Sequence, residues 1–310
     1  MGVKLLSRLL KTQCYDDSEQ IHLSSLYGKK ICIDVSIYLY RFKGQNTLIE
    51  SFYVMCSLFK RYNITPIFIF DGKPPESKRK ELDNRREQRK ESKRKYEEMQ
   101  KQYGTNLTKE QKNELNYLKR TMVKINWEDV NIIQELFDSY GIKYITAIGE
   151  ADSLCASLVL KKKVYAVLTE DMDLFAYTCP IVLRYFSLSN HTCILYDLKK
   201  ILRRLDIDKE HFRIICVLSG NDYYDSKNTI FHYLKLYNKY KKTDKSLDFI
   251  GWLLNIKQIE ECDVEDIKMV INMYENVKNE LVKYPYVVIK FGSIDKEKIH
   301  GILEKERFVF

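Results

Sequence analysis

Glycine and proline are scarce in this chain, at 11 and 5 of 310 residues. No Pro/Gly/Ser-rich linker divides it, and it has no internal repeat of the solenoid kind. It also lacks the glycine loops that cradle phosphates on backbone N–H groups, since neither GxGxxG nor GxxxxGKS/T occurs. Histidine is as scarce as proline, at five residues, and the eight cysteines stand at 14, 32, 56, 155, 179, 193, 216 and 262 without a CxxC pair. That pattern argues against structural zinc and suits reduced, buried thiols in an intracellular compartment. No apolar run approaches the ~18 residues of a membrane span. The first eleven residues are interrupted by Lys4, Arg8 and Lys11, and Leu6 stands where a myristoylation motif needs Ser or Thr. No membrane partner is expected.

What the chain does have is a core and a charge. Hydrophobic residues make up 45%, enough to exclude global disorder. The net charge is +9, which points to an anionic partner. Residues 73–124 hold 17 basic and 9 acidic residues and so carry +8 of it. Within them, Lys78–Lys95 contains ten Lys or Arg and a single aliphatic residue, Leu82. A helix of that composition has no face to bury, so it bridges solvent or contacts an anion.

On either side of this insert, short apolar runs alternate with helical patterns. Lys30–Tyr40 is β-rich, with a strand expected at 30–34, and Thr65–Phe70 reads as a strand buried on both faces. Further strands are expected at 143–147 and 164–168. Helices are expected at 48–62, 128–140, 151–161 and 208–218, with mostly helical chain after Asp222. This predicts an α/β fold with a mostly parallel central sheet flanked by helices, a basic helical insert and a helical C-terminal region.

Open α/β sheets place their sites at the C-terminal strand ends. Here the strands run into Asp34, into Asp71, towards Glu150 and Asp152, and into Thr169-Glu170-Asp171-Met172-Asp173. A single acid after a strand is most often a helix N-cap or part of a turn. Several acids on one sheet edge repel one another and are tolerated when a cation sits among them. Oxygen ligands without His or Cys suit Mg²⁺, or Mn²⁺ in its place. Such a set can hold two ions about 4 Å apart that clamp the attacking and leaving oxygens of a phosphodiester.

Six segments in order give this pattern a likeness: Met1-Gly2-Val3, Ile33-Asp34, Phe70-Asp71-Gly72-Lys73-Pro74-Pro75, Gly149-Glu150-Ala151-Asp152, Thr169–Asp173 and Leu218-Ser219-Gly220-Asn221-Asp222-Tyr223. The chain resembles the structure-specific 5′ nucleases, the superfamily of flap endonucleases, 5′ exonucleases and XPG-type repair nucleases. The resemblance implies a PIN-like nuclease core and assigns two Mg²⁺ ions to Asp34, Asp71, Glu150, Asp152, Asp171, Asp173 and Asp222. It makes the basic insert a helical arch whose Lys78 and Arg85 are catalytic cations, seven residues apart and so on one helical face. It makes Tyr40 a stacking platform for a terminal base, and it places Gly2 beside the active site against the DNA.

The resemblance also divides the chain. It implies an N-terminal XPG-like region at 1–98, the remainder of the arch at 99–135, an internal region at 136–224, and a helical C-terminal region at 225–310. The last would carry a degenerate helix–two-turn–helix, because Ser226–Phe231 lacks the glycines of the family's K⁺-binding hairpin. The expected partner is flapped or branched DNA. No convincing sliding-clamp box is present, and a monomer is expected in the nucleus or another reducing site of DNA replication. The short span from Tyr40 to Asp71 suits a reduced, virally encoded member. Three alternatives stay open at this point: a 5′→3′ exonuclease on duplex DNA, a related nuclease acting on RNA, and an inactive junction-binding protein.

Overall fold

A computed structural model describes residues 2–103, 108–284 and 287–305. Seven strands form one sheet: β1 Ser18–His22, β2 Lys30–Asp34, β3 Thr65–Phe70, β4 Lys143–Thr146, β5 Ala166–Leu168, β6 Ile181–Ser187 and β7 Thr192–Asp197. Their order is β1-β7-β6-β5-β2-β3-β4. The run from β6 to β4 is parallel, and β7 lies antiparallel between β6 and β1. The parallel part of the sheet starts at β2, winds outward to β3 and β4, and then returns to β5 on the other side of β2. The sheet therefore reverses its winding between β2 and β5, the crevice where open α/β sheets carry their sites.

Period-two alternation sends neighbouring side chains into two different cores. Cys32, Ile67 and Ile69 face one layer, with Leu154, Leu158, Phe175 and Phe212. Ile31, Ile33, Phe68 and Phe70 face the other, with Phe52, Phe59 and Phe137. In that second layer the Phe68 and Phe137 rings stack at 4.0 Å. Both faces are covered, which is why the central strands read as continuous apolar runs.

The expected strands and helices occur with ends shifted by one or two residues, and three strands were not anticipated. β1 has one buried residue, Ile21, and so shows no alternation. β6 and β7 enclose the buried, charged Arg184 and a register irregularity between Arg184 and Ser187. The β-rich run to Tyr40 also splits. Only 30–34 is strand, and Val35–Gly44 is a helix. Asp34 caps it by accepting the Ser36 N–H at 3.1 Å, so a cap and tertiary packing override the β-propensity of Val35, Ile37 and Tyr38.

The insert is a pair of helices, Arg79–Tyr103 and Lys109–Thr121. The first spans about 38 Å at 1.5 Å per residue. Exposed i,i+3 and i,i+4 pairs such as Arg94–Glu91 (2.8 Å) and Arg94–Glu98 (2.7 Å) run along it. The second anchors the pair through buried Leu115 and Leu118. Beyond Asp222, the helices Ile230–Tyr240, Phe249–Asn255 and Val264–Glu275 pack on the first core. The chain then crosses back. Gly292 N donates to Gly141 O, and the helix Lys296–Lys305 adds Ile299, Ile302 and Leu303 to the second core. Among the described residues no helix is long and apolar enough to cross a membrane.

Candidate active site

The ends of β2, β3 and β5 and the start of the helix Ala151–Leu160 converge at the reversal point. Asp34 is 4% exposed, and its second oxygen accepts the Thr169 hydroxyl at 3.0 Å. Asp71 links two neighbours: it accepts the Ser36 hydroxyl at 2.5 Å and the Ala151 N–H at 2.8 Å. Ala151 lies between Glu150 and Asp152, so a backbone hydrogen bond at a helix N-terminus ties β3 to both acids. Gly72 permits this approach, because a Cβ there would collide with the Ala147 carbonyl oxygen. After β5, Asp171 N donates to Thr169 Oγ1 and Asp173 N donates to Asp171 Oδ1, each at 3.0 Å. This tight turn buries both carboxylates at 2% exposure.

Glu170, in the middle of the same motif, points away. It accepts the Tyr185 N–H at 2.7 Å and pairs with Arg41 at 3.3 Å and Arg184 at 3.5 Å. Gly2 sits against the Asp171–Asp173 turn with φ +74°, and a Cβ there would strike the carboxylates of Asp171 and Asp173. Only glycine accommodates that backbone conformation and that closeness together.

The arch reaches into this cluster. Lys78 is 7% exposed, with its Nζ 2.6 Å from Glu150 Oε1 and 3.2 Å from Asp222 Oδ2. Arg85 Nη2 approaches the same Asp222 oxygen at 3.1 Å, and its Nε donates to Glu81 at 2.7 Å. The two cations do converge, although Lys78 closes a 3₁₀ turn (Glu76–Lys78) ahead of the helix that carries Arg85. Tyr40 stands 47% exposed on the helix capped by Asp34, so it is no core tyrosine; the buried one is Tyr38. Tyr223, Ser36 and Thr169 belong to the site without having been singled out in the sequence. Tyr223 and Thr169 lie inside recognised motifs, and Ser36 follows Asp34 by two residues.

The electrostatics are those of crowded acids. Burial, then the charges of Asp71 and Asp171, pushes Asp34 up to about 8. Burial, then Asp171 and Asp34, holds Asp152 well above the carboxylate range. Burial followed by Asp171 and Asp222 does the same to Asp173. Burial works against the Lys78 ammonium, but Glu150 and Asp222 outweigh it and raise its pKa. Asp152 Oδ1 is buried without a hydrogen-bond partner. Among the described residues no three of these acids close into a ready-made cage for a cation. Lys78 and Arg85 are the counter-ions instead. An all-carboxylate set, raised pKa values and an orphaned buried oxygen fit a hard divalent cation.

Two family profiles match this chain: the XPG N-terminal domain over residues 1–92 and the XPG I-region over 141–222. Flap endonuclease 1 of Aedes aegypti is 31% identical over 269 residues, which is 80% of this chain and 69% of that protein. In fold, the chain is similar to the catalytic core of Rad2 in complex with DNA substrate, with a TM-score of 0.69 and 19% identity over 98% of this chain and 95% of that one. It is also similar to human GEN1 in complex with Holliday junction DNA, with a TM-score of 0.67 and 20% identity over 99% of this chain and 74% of that one. The acids of the sheet edge lie inside the two matched regions, and the chain belongs to the XPG-type family of structure-specific 5′ nucleases, metal-dependent hydrolases that act on DNA flaps and junctions.

Proposed function

We propose that the chain cleaves DNA at 5′ flaps or branched junctions with two Mg²⁺ ions held by Asp34, Asp71, Glu150, Asp152, Asp171, Asp173 and Asp222. The observation that carries this reading is the buried contact of Lys78 with Glu150 and Asp222, which brings the basic arch onto the carboxylate edge. When bound, the ions supply Lewis-acid stabilisation of the scissile phosphate and a more acidic attacking water. The protein's own groups do the rest. Lys78 and Arg85 offset the charge that develops on the phosphate. The buried acids fix the geometry, and Gly2 leaves the space in front of Asp171 and Asp173 open. Tyr40 offers an exposed ring for base stacking, which tolerates any sequence.

Selection is therefore by DNA shape and a free 5′ end rather than by base edges. The domain division at 98, 135 and 224 is part of the same reading, as is action at a nuclear or comparable site of DNA replication. The test is a panel of labelled substrates in Mg²⁺: a 5′ flap, a blunt duplex, a nicked duplex and a single-stranded RNA. Cleavage concentrated near the flap base is expected. Equal cutting of all four rejects structure specificity, and preferential degradation from the duplex end replaces the flap reading with an exonuclease.

A further inference from the structure

Tyr223 joins the two halves of the site. Its hydroxyl donates to Glu150 Oε2, while the other oxygen of that carboxylate, Oε1, takes Lys78 at 2.6 Å. Its ring lies under the same lysine, with Nζ 4.8 Å from the ring centroid. One side chain thus grips an acid through its polar end and a cation through its face. It is itself fixed: its N–H donates to Asn221 Oδ1 at 2.8 Å, and its ring meets Tyr274 edge-on at 6.3 Å.

This arrangement meets a conflict built into the site. Glu150 is needed as a ligand, yet in this structure it is spent on neutralising Lys78. A cation that takes Glu150 Oε1 must displace the ammonium. The aromatic face then gives Lys78 a place that makes no demand on a carboxylate, and the phenol keeps Glu150 from swinging away by holding Oε2.

We propose that Tyr223 is a positioning residue with two separable tasks: its hydroxyl aims Glu150 at a divalent cation, and its ring holds Lys78 at the scissile phosphate. The proposal rests on the metal-nuclease reading above.

Two variants separate the tasks. Tyr223→Phe keeps the ring and removes the hydroxyl, and Tyr223→Leu removes both. Mn²⁺ binding to DNA-free protein, followed by electron paramagnetic resonance, reads the first task. Both variants should bind Mn²⁺ about ten- to a hundredfold more weakly, the scale of one lost hydrogen bond to a charged group. Single-turnover cleavage at saturating Mg²⁺ reads the second. Tyr223→Leu should slow it on the order of tenfold, the scale of a desolvated cation–π contact, and Tyr223→Phe clearly less. Unchanged Mn²⁺ affinity in Tyr223→Phe overturns the hydroxyl's task, and equal cleavage rates in the two variants overturn the ring's. A wild-type protein that takes up no Mn²⁺ overturns the metal-centre reading as well. That result is distinct from normal wild-type uptake that neither variant alters.

Discussion

The carboxylate edge and the arch above it solve opposite problems. The edge concentrates like charges in a largely buried place and holds them with backbone N–H groups, two hydroxyls and a tight turn. It needs a cation to be comfortable. The arch concentrates opposite charges in water, where solvent screens each pair and the surplus of lysine and arginine stays free for an anion. Rigidity belongs to the edge and reach to the arch. They meet at one partly buried ion-pair network, Lys78 and Arg85 on Glu150 and Asp222. On the proposed reading, chemistry belongs to the edge, grip to the exposed arch, and rate enhancement to the contact between them.

The largest effect is expected from breaking the edge. Asp173→Ala should lower the single-turnover rate by at least ~10²-fold, the scale of losing one fixed electrostatic element, while flap-DNA affinity measured in Ca²⁺ stays close to wild type. Survival of turnover would remove Asp173 from the reacting centre. Breaking the contact comes next. Lys78→Ala and Arg85→Ala should each slow the single-turnover step about tenfold or more, equivalent to ~1.4 kcal/mol. If the loss falls on affinity alone, both are ordinary phosphate contacts and the division between grip and chemistry fails at its boundary.

The two regions also differed in how far the sequence exposed them. Asp34, Asp71, Asp171 and Asp173 follow strands whose apolar runs are unmistakable, so these four could be placed on one sheet edge without coordinates. The arch announced itself by charge. What could not be read was how the two touch. Lys78 and Glu150 are 72 positions apart in the numbering, and only the path of the arch brings them to 2.6 Å. Tyr223 was hidden for the same reason, because its partners sit on two other elements. The half of the sheet beyond β5 was hidden for a different one. β1 is a short edge strand with one buried residue, and β6 is interrupted by a buried arginine and a positive φ at Tyr185, so neither shows the alternation that marks a strand.

A moderate effect is expected on the arch alone. Arg86, Lys90 and Lys93 are exposed on its long helix, away from the Lys78 contact. Replacing all three with alanine should weaken flap binding and reduce the slope of log affinity against log salt by up to about 2.7, since each neutralised phosphate contributes about 0.9. The single-turnover rate at saturating protein should fall much less than in Lys78→Ala. An unchanged salt slope would mean that these charges serve only the helix's own ion pairs.

The smallest effect concerns stability, and it tests whether the edge is as strained as its charges imply. Asp173 is 2% exposed and faces the charges of Asp171 and Asp222. Burial and repulsion raise its pKa, so its ionised form opposes folding at neutral pH. Asp173→Asn keeps the shape and removes the charge. In EDTA at pH 7.5 it should raise the melting temperature by about 2–4 °C, the scale of ~1 kcal/mol in a chain of this size. In millimolar Mg²⁺ the difference should shrink or reverse, because binding stabilises the wild type that retains the full set of acids. A lower melting temperature for Asp173→Asn in EDTA would show that Lys78 and Arg85 already neutralise the edge, and the contrast between a frustrated edge and a relaxed arch would have to be given up.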